Sequence, residues 1–213
     1  MIICFSCRAS LSEQGGACIK CQSDLSIVST FHENGKLKSR GHQKNGVLNG
    51  FWEGFYENGQ LQASGRYKDG KREGLWVGYY EDGDLEARTH YKNGIREGLI
   101  EWYADHGLAF KGNYKTGIRE GVWEYFRWGK VVVSRELWKN GYPVSGKSFY
   151  ANGQLKSRCS YKKDEAYELH GLYEEFDENG LLKERREYAE DGLFDWKQIF
   201  KNGVLQEEPI IRV

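Results

Sequence analysis

The chain has 213 residues, with 31 Lys plus Arg and 31 Asp plus Glu, so its formal net charge is zero. This balance argues against a general polyanion binder, which usually carries a basic surplus. Aromatic residues make up 15 % of a chain whose mean hydropathy is only -0.74, and such a content argues against disorder.

The first residues bear on the compartment. No stretch reaches the roughly 18 continuous apolar residues that a membrane-spanning helix needs. The segment from Met1 to Cys7 lacks both the basic region and the long apolar region of a secretory signal. We therefore expect a cytoplasmic protein, in which clustered cysteines are metal ligands more often than disulfides.

Four cysteines near the start have metal-ligand spacing. They form a C-x2-C-x10-C-x2-C pattern made by Cys4, Cys7, Cys18 and Cys21. Two such hooks can place four thiolates tetrahedrally around Zn²⁺ in a closed, structural site. So short a segment has too little apolar surface to fold alone, so the metal would supply its folding energy.

The sequence therefore predicts a zinc knuckle, similar to a small zinc ribbon, over residues 1–28. Buried or redox-active thiols are the alternative. Arg8 and Lys20 are the only cations among the first 21 residues, so binding of nucleic acid through the knuckle is weakly supported. A cap on the open edge of a following sheet is the simpler role.

Two kinds of glycine turn alternate along the rest of the chain. The first follows an aromatic-x-Asn/Asp-Gly-x-Leu pattern, and its glycines are Gly35, Gly59, Gly83, Gly153 and Gly180, with degenerate copies at Gly107, Gly129 and Gly203. The second follows a Lys-x-Gly pattern with Gly46, Gly70, Gly94, Gly117 and Gly141. The first copies repeat every 24 residues.

Asn-Gly and Asp-Gly turns are the strongest short-range signal for β-hairpins, because type I′ turns need positive φ. Two such turns per period, with no helical stretch between them, predict an up-and-down antiparallel meander. We therefore predict an all-β fold: an elongated, twisted antiparallel sheet of tandem hairpins of about 24 residues over residues 29–213, preceded by the zinc knuckle.

Folding one repeat around Lys68–Arg72 places large side chains opposite small ones, which cross-strand packing favours. The predicted pairs are Tyr67 with Gly74, Gly65 with Trp76, Ala63 with Gly78 and Leu61 with Tyr80. In other repeats they are Gly41 with Trp52, Ser39 with Gly54, Gly112 with Trp123 and Tyr114 with Gly121. One face should thus carry rings over glycine, and the other should be more polar, with Gln62, Ser64 and Arg66.

A single sheet cannot fully bury an aromatic face by itself, so either the sheet curls or a partner covers the rings. The candidate partner-binding residues are Trp52, Tyr56, Tyr67, Trp76, Tyr80, Tyr91, Trp102 and Trp123. The alternative is that these rings form the thin core of the repeat framework. Partner contacts would then come from positions that vary between repeats.

A catalytic site is not indicated. The five histidines share no metal-ligand spacing. Cys159 occupies the repeat position that holds a small packing residue elsewhere. Glu73, Glu97 and Glu120 recur before a glycine that opens a strand, which suggests pairing with the neighbouring Arg72, Arg96 and Arg119. Because a catalytic site is a unique cluster and these features are periodic, we expect no enzyme.

The segment Gly65–Gly83, GRYKDGKREGLWVGYYEDG, resembles the variant MORN repeat, and the resemblance extends from about Phe31 to Gly203. Bacterial arrays of this variant resemble the YwqK-type antitoxin family, whose members are thought to neutralise partner toxins. The resemblance implies a hairpin array that binds a partner and carries over no catalytic residue.

Two stretches depart from the repeat pattern. In Arg127–Phe149, three valines replace the usual polar strand. In Lys162–His170, the turn is lengthened and its glycine is lost. Both are candidate partner-specific patches, with drift as the alternative.

The sequence thus favours a cytoplasmic antitoxin or immunity protein that binds a protein partner, a cognate toxin, and blocks it sterically. A MORN-type scaffold or membrane-associated adaptor is the first alternative, although zero net charge disfavours anionic lipids. Nucleic-acid binding through the zinc knuckle ranks last. The partner, the sheet face that binds it and the oligomeric state stay open.

Overall fold

A computed structural model describes residues 2–3, 10–11, 16–18, 23–104, 107–189, 191, 193–206 and 210–211. Those residues form twenty β-strands and no helix, which confirms the predicted all-β class. The chain divides into two compact units, Met1–Ile100 and Glu101–Val213.

The first unit begins with short strands and continues with strands of eight or nine residues. Its strands are β1 (Ile2–Ile3), β2 (Ser10–Leu11), β3 (Gly16–Cys18), β4 (Ser23–Phe31), β5 (Leu37–Lys44), β6 (Val47–Phe55), β7 (Leu61–Lys68), β8 (Lys71–Tyr79), β9 (Leu85–Lys92) and the start of β10 (Ile95–Ala104). β1 pairs with β2, and β3 to β8 each pair antiparallel with the next strand.

The second unit continues the same design. Its strands are β11 (Gly107–Lys115), β12 (Ile118–Arg127), β13 (Val131–Lys139), β14 (Tyr142–Phe149), β15 (Leu155–Ser160), β16 (Gly171–Phe176), β17 (Leu182–Tyr188), β18 (Phe194–Lys201), β19 (Val204–Leu205) and β20 (Ile210–Ile211). β11 to β18 pair antiparallel in chain order, and β18 also pairs with β19 and β20. The predicted hairpin meander is therefore confirmed in both units.

The predicted division at residue 28 falls inside a strand. β4 runs from Ser23 to Phe31 and pairs with β3 on one side and with β5 on the other. The boundary between residues 1–28 and 29–213 stays a prediction.

The two kinds of turn differ in backbone geometry. Lys-x-Gly turns have positive φ at two successive residues, as at Asn93 (53°) and Gly94 (83°), which is type I′ geometry. Aromatic-x-Asn-Gly turns have positive φ at glycine alone, because the Asn side chain completes the turn: the Asn58 Oδ1 atom accepts a hydrogen bond of 2.8 Å from the Gln60 amide. Gly129 and Gly203 follow Trp128 at +52° and Asn202 at +53°, so both belong to the type I′ group and their assignment to the aromatic group is wrong.

Bulges change part of the predicted register. The pairs Gly41–Trp52, Ser39–Gly54 and Ala63–Gly78 are confirmed. In the β7–β8 hairpin, however, Gly65 alone lies between the pairs Ser64–Val77 and Arg66–Glu73, so three residues of β8 oppose it. Gly74, at φ +71°, lies within this bulge.

The bulge and its counterpart in the β11–β12 hairpin make two predicted pairs wrong, because Tyr67 pairs with Arg72 and Tyr114 with Arg119. The predicted Leu61–Tyr80 pair has the register of the confirmed Ala63–Gly78 pair, but Tyr80 lies beyond the end of β8, so it stays a prediction. The large-on-small rule still holds, but across the other neighbouring strand. Tyr67 lies opposite Gly50, Tyr91 opposite Gly74, and Trp138 opposite Gly121.

Candidate partner-binding surface

The rings of the first unit pack on one another along one face of the sheet, here called the ring face. The centroids of Trp52 and Trp76 are 5.5 Å apart, and Tyr67 meets Trp76 edge-on at 5.0 Å. The Arg72 guanidinium lies 4.3 Å from the Trp76 ring centroid, which is close enough for a cation–π contact. Trp76 is only 4 % exposed.

The ring face of the second unit has the same construction. Phe110 stacks between Trp102 at 6.1 Å and Trp123 at 5.9 Å. The Arg119 guanidinium lies 4.1 Å from the Trp123 centroid and 4.6 Å from that of Trp138. Trp123 is fully buried.

Tyr56 has a different task, which is to join one repeat to the next. Its hydroxyl donates a hydrogen bond of 2.8 Å to the Tyr79 carbonyl oxygen, and the Tyr150 hydroxyl does the same to Phe176 at 2.8 Å. The turn asparagine Asn58 also donates, through its side-chain amide, to the Glu81 carbonyl oxygen at 2.9 Å. The aromatic-x-Asn-Gly motif therefore encodes stacking of neighbouring repeats as well as a turn.

The eight predicted partner-binding rings thus fall into two groups. Trp76 and Trp123 are buried by their own repeats, which matches the thin-core alternative for these two. The other six are half-buried: Trp52, Tyr56, Tyr67, Tyr80, Tyr91 and Trp102. Contact of these six with a partner stays a prediction.

The recurring glutamates hold turns. The Glu73 Oε2 atom accepts a hydrogen bond of 2.8 Å from the backbone amide of Asn93, and Glu120 accepts one of 2.9 Å from Asn140. Arg72 and Arg119 lie on rings. In these two repeats the suggested Glu–Arg pairing is replaced by another contact: each glutamate accepts a hydrogen bond from a backbone amide of the next type I′ turn.

The lengthened turn after β15 contributes a ring to the ring face. Tyr167 meets Trp138 edge-on at 6.0 Å. Glu136 accepts hydrogen bonds there from the Trp138 indole at 2.9 Å and from the Tyr125 hydroxyl at 3.0 Å. Burial, together with the Glu136 charge, raises the pKa of Tyr125 to about 12. The irregular segment thus covers part of its own sheet.

The opposite face is less polar than predicted. Leu75 and Leu99 are 45 % and 39 % exposed there, and with Phe51 they form what we call the apolar row. Phe51 and Leu75 line an open groove of 540 Å³ together with Arg66 and Glu73. The expectation of a polar face holds for the exposed Gln62 and Arg66 but is wrong for this row. The missed signal was the apolar residue that precedes Trp or its equivalent in each repeat.

In the second unit the opposite face carries a column of charges across consecutive strands. Lys111, Glu124, Arg135, Lys147, Arg158, Glu174 and Arg185 lie opposite one another in that order. Hydrogen bonding from Lys111 lowers the pKa of the Glu124 carboxyl. Burial raises the pKa of Glu174, but hydrogen bonds from Arg158 and Arg185 outweigh it and leave the pKa below its usual value. We call this column the cation row.

The predicted zinc ligands Cys4, Cys7 and Cys21 lie outside the described residues, and for Cys18 only the backbone, at the end of β3, is described. Among the residues that are described, no group of three or more His, Cys, Asp or Glu side chains could hold a metal ion. Cys159 is a half-buried free thiol paired with Gly146, in keeping with a small packing residue. None of the described segments forms a helix that could cross a membrane.

Five segments of the chain match the family described as MORN repeat variant: residues 27–45, 48–69, 72–93, 145–163 and 169–190. Each match spans one hairpin built around an aromatic-x-Asn-Gly turn or its Asp177 equivalent. The stretch 94–144 is outside the matched segments, although it folds into strands of the same kind. The matches support a MORN-repeat protein, and such repeats generally bind proteins or membranes. No curated protein matches the chain.

Proposed function

We propose that this MORN-repeat protein is an antitoxin or immunity protein that binds a cognate toxin in the bacterial cytoplasm and blocks it sterically. The observation that carries the proposal is the apolar row, because large apolar side chains that recur on one sheet face outside the internal packing mark a candidate interaction site. Leu75 and Leu99 project from a sheet whose repeated residues are already engaged in internal packing.

The hairpin array suits steric blocking. Paired strands and stacked turns fix the backbone before binding, so little conformational entropy is lost when a partner is bound. Apolar side chains at repeated spacing can then enter a complementary strip of the partner, with Arg66 and Glu73 beside the groove supplying polar contacts. The half-buried rings are proposed as further partner contacts, separately for the first unit (Trp52, Tyr56, Tyr67, Tyr80 and Tyr91) and for the second (Trp102).

Expression of the adjacent reading frame in a heterologous bacterium tests the proposal. We expect that product to arrest growth alone, and we expect co-expression of this chain to restore growth and to co-purify the two proteins. A neighbouring product without toxicity, or protection without a complex, contradicts the proposal. Sedimentation with anionic liposomes tests the adaptor alternative, for which the chain would pellet with the lipid.

A pair of substitutions tests the role of the apolar row. Leu75→Ser removes a row side chain, whereas Val47→Ser removes an aliphatic side chain of the same 45 % exposure at the start of β6. We expect Leu75→Ser to weaken protection and Val47→Ser to retain it. Equal effects of the two would show that the row does not select the partner.

The zinc knuckle is proposed as a folded cap that holds structural zinc through Cys4, Cys7, Cys18 and Cys21. Its support is the spacing of the cysteines. In this proposal zinc stabilises the start of the array and takes no part in blocking the toxin.

A further inference from the structure

One turn in the second unit carries an exposed indole where its counterparts carry a turn-forming residue. Trp128, between β12 and β13, is 78 % exposed and has φ +52°. The residues with the same backbone geometry before glycine in the Lys-x-Gly turns are Asn45, Asp69, Asn93, Thr116, Asn140 and Asn202. A bulky residue at positive φ is an outlier that costs free energy of folding.

The turn is held firmly although Trp128 is not buried. A Cβ atom on Gly129 would lie 2.8 Å from the Gly107 Cα atom, so the two backbones touch. The Arg127 guanidinium lies 5.6 Å from the Trp128 ring centroid. β11 therefore packs against the backbone of the turn, and the indole extends outward from it.

The cation row contains a second feature that lowers the stability of the fold, a lysine between two arginines. Lys147 is exposed and lies directly opposite both Arg135 and Arg158, and like charges opposite one another on a sheet are destabilising. Arg135 shares Glu124 with Lys111, and Arg158 shares Glu174 with Arg185. Lys147 makes no ion pair with any other described residue, so the row keeps a positive surplus.

A groove lies beside both features, although neither Trp128 nor Lys147 lines it. It has a volume of 350 Å³ and is lined by Lys130 from the Trp128 turn and by Arg135 from the cation row, with Phe149 between adjacent turns. Arg135 lies 5.3 Å from the Phe149 ring centroid, and Arg158 lies 5.8 Å from that of Phe176. The rings hold the two guanidinium groups in place before any partner arrives.

We propose that the Trp128 turn and the cation row form a docking site for an acidic protein surface, with the indole as the anchor that enters an apolar pocket of the partner. Exposed Trp and Arg side chains are typical anchors of protein interfaces. Glu124 and Glu174 interrupt the cations, which suits discrete carboxylates better than the continuous charge of a nucleic acid or a lipid surface. The site deepens the proposed function by giving the chemistry of the partner.

Two substitutions restore the residue that the fold itself uses at the equivalent place. Trp128→Asn recreates the Asn-Gly turn of residues 140–141, and Lys147→Ser recreates Ser29, which lies opposite Arg40 at the same place in the β4–β5 hairpin. Because both remove an unfavourable local feature, we expect both to raise the melting temperature. A residue that merely supported the fold would lower it on substitution.

Selection of random 16-residue peptides displayed on phage against the full-length chain supplies the probe. We expect the enriched peptides to be acidic, to bind less tightly as salt is raised, and to bind Trp128→Asn roughly ten-fold or more weakly. Phe31→Ser is the control, because Phe31 is another exposed ring, at 62 %, in the other unit. It should leave the affinity unchanged.

The proposal is overturned if no acidic peptide is enriched, if the peptides bind Trp128→Asn as well as the natural chain, or if the two substitutions lower the melting temperature. Trp128-dependent binding of oligo-dT or phosphatidylserine vesicles in place of acidic peptides also overturns it. The growth assay stays separate: protection that survives Trp128→Asn defeats this inference alone, and a harmless neighbouring product defeats the proposed function alone.

Discussion

The indole of Trp123 lies so close above Gly112 that a Cβ atom on the glycine would sit 2.2 Å from the Trp123 Cδ2 atom. Gly65 and Trp76 repeat the relationship at 2.3 Å. These contacts explain why glycine recurs beneath each ring, since any side chain would displace the aromatic core of a thin sheet.

Gly65→Ala should therefore lower the free energy of unfolding by about 1–3 kcal/mol, the usual cost of overpacking. Gly78→Ala is the matched control in the facing strand, because its added Cβ would meet the flexible Glu86 carboxylate at 3.4 Å and the Gln62 carbonyl oxygen at 3.9 Å, without a clash. Urea unfolding of both variants measures the difference. Equal stability of the two would contradict the ring-on-glycine account.

Tyr56→Phe removes only the hydroxyl that links one repeat to the Tyr79 carbonyl oxygen at 2.8 Å. We expect a loss of about 0.5–1.5 kcal/mol of unfolding free energy. Tyr142→Phe serves as the comparison, since the Tyr142 side chain is 40 % exposed and the structure gives it no hydrogen bond to a described residue. If the two variants unfold at the same urea concentration, the tyrosine does not join the repeats.

Glu174 should make stability depend on acid pH. Its carboxyl is 1 % exposed, and although burial raises its pKa, the hydrogen bonds from Arg158 and Arg185 bring that pKa below its ordinary value. A lowered folded-state pKa stabilises the fold above the unfolded-state pKa, and this contribution is lost as pH falls through the folded-state value.

Glu174→Gln should therefore unfold more easily than the natural chain at pH 7, by roughly 1–3 kcal/mol, and the gap should narrow as pH falls below about 4.5. Glu178→Gln, at an exposed turn position, should show no such gap. A gap for Glu174→Gln that is independent of pH would mean that charge pairing is not its cause.

The cysteine proposal predicts about one tightly bound zinc ion per chain purified without chelator. Elemental analysis measures it, with Cys159→Ser as the control that should keep the metal. Cys18→Ser should lose the zinc and lower the melting temperature, because metal binding supplies folding energy. A full-length chain that purifies without zinc would contradict the proposed zinc knuckle.

The class and topology of the fold were predictable from sequence because they depend on local chemistry. Asn-Gly and Asp-Gly pairs fix where the strands reverse, and the alternation between turns leaves no room for a helix. Gly41–Trp52 and Ala63–Gly78 were predicted correctly because the position of a turn determines which residues of the two adjoining strands lie opposite each other.

The bulge at Gly74 was not predictable by counting, since the Glu-Gly dipeptide resembles an ordinary strand start. The geometry shows that Glu73 instead reaches the following turn at Asn93, a contact between repeats that no single repeat reveals. The apolar row through Leu75 was also not predicted. The apolar residue before each Trp recurs with the same period as the Trp itself, and the prediction rested on the Trp alone.

Buried repeated residues build the sheet, whereas the apolar row, the Trp128 turn and the half-buried rings are the positions proposed to select the partner. Protection from the adjacent gene product, measured beside the melting temperature, tests this directly for Gly65→Ala, Tyr56→Phe, Leu75→Ser and Trp128→Asn. The account predicts that the first two lower the melting temperature and keep protection wherever the chain is folded, while the last two lose protection without losing stability. Loss of protection that simply follows loss of stability across all four variants would contradict it.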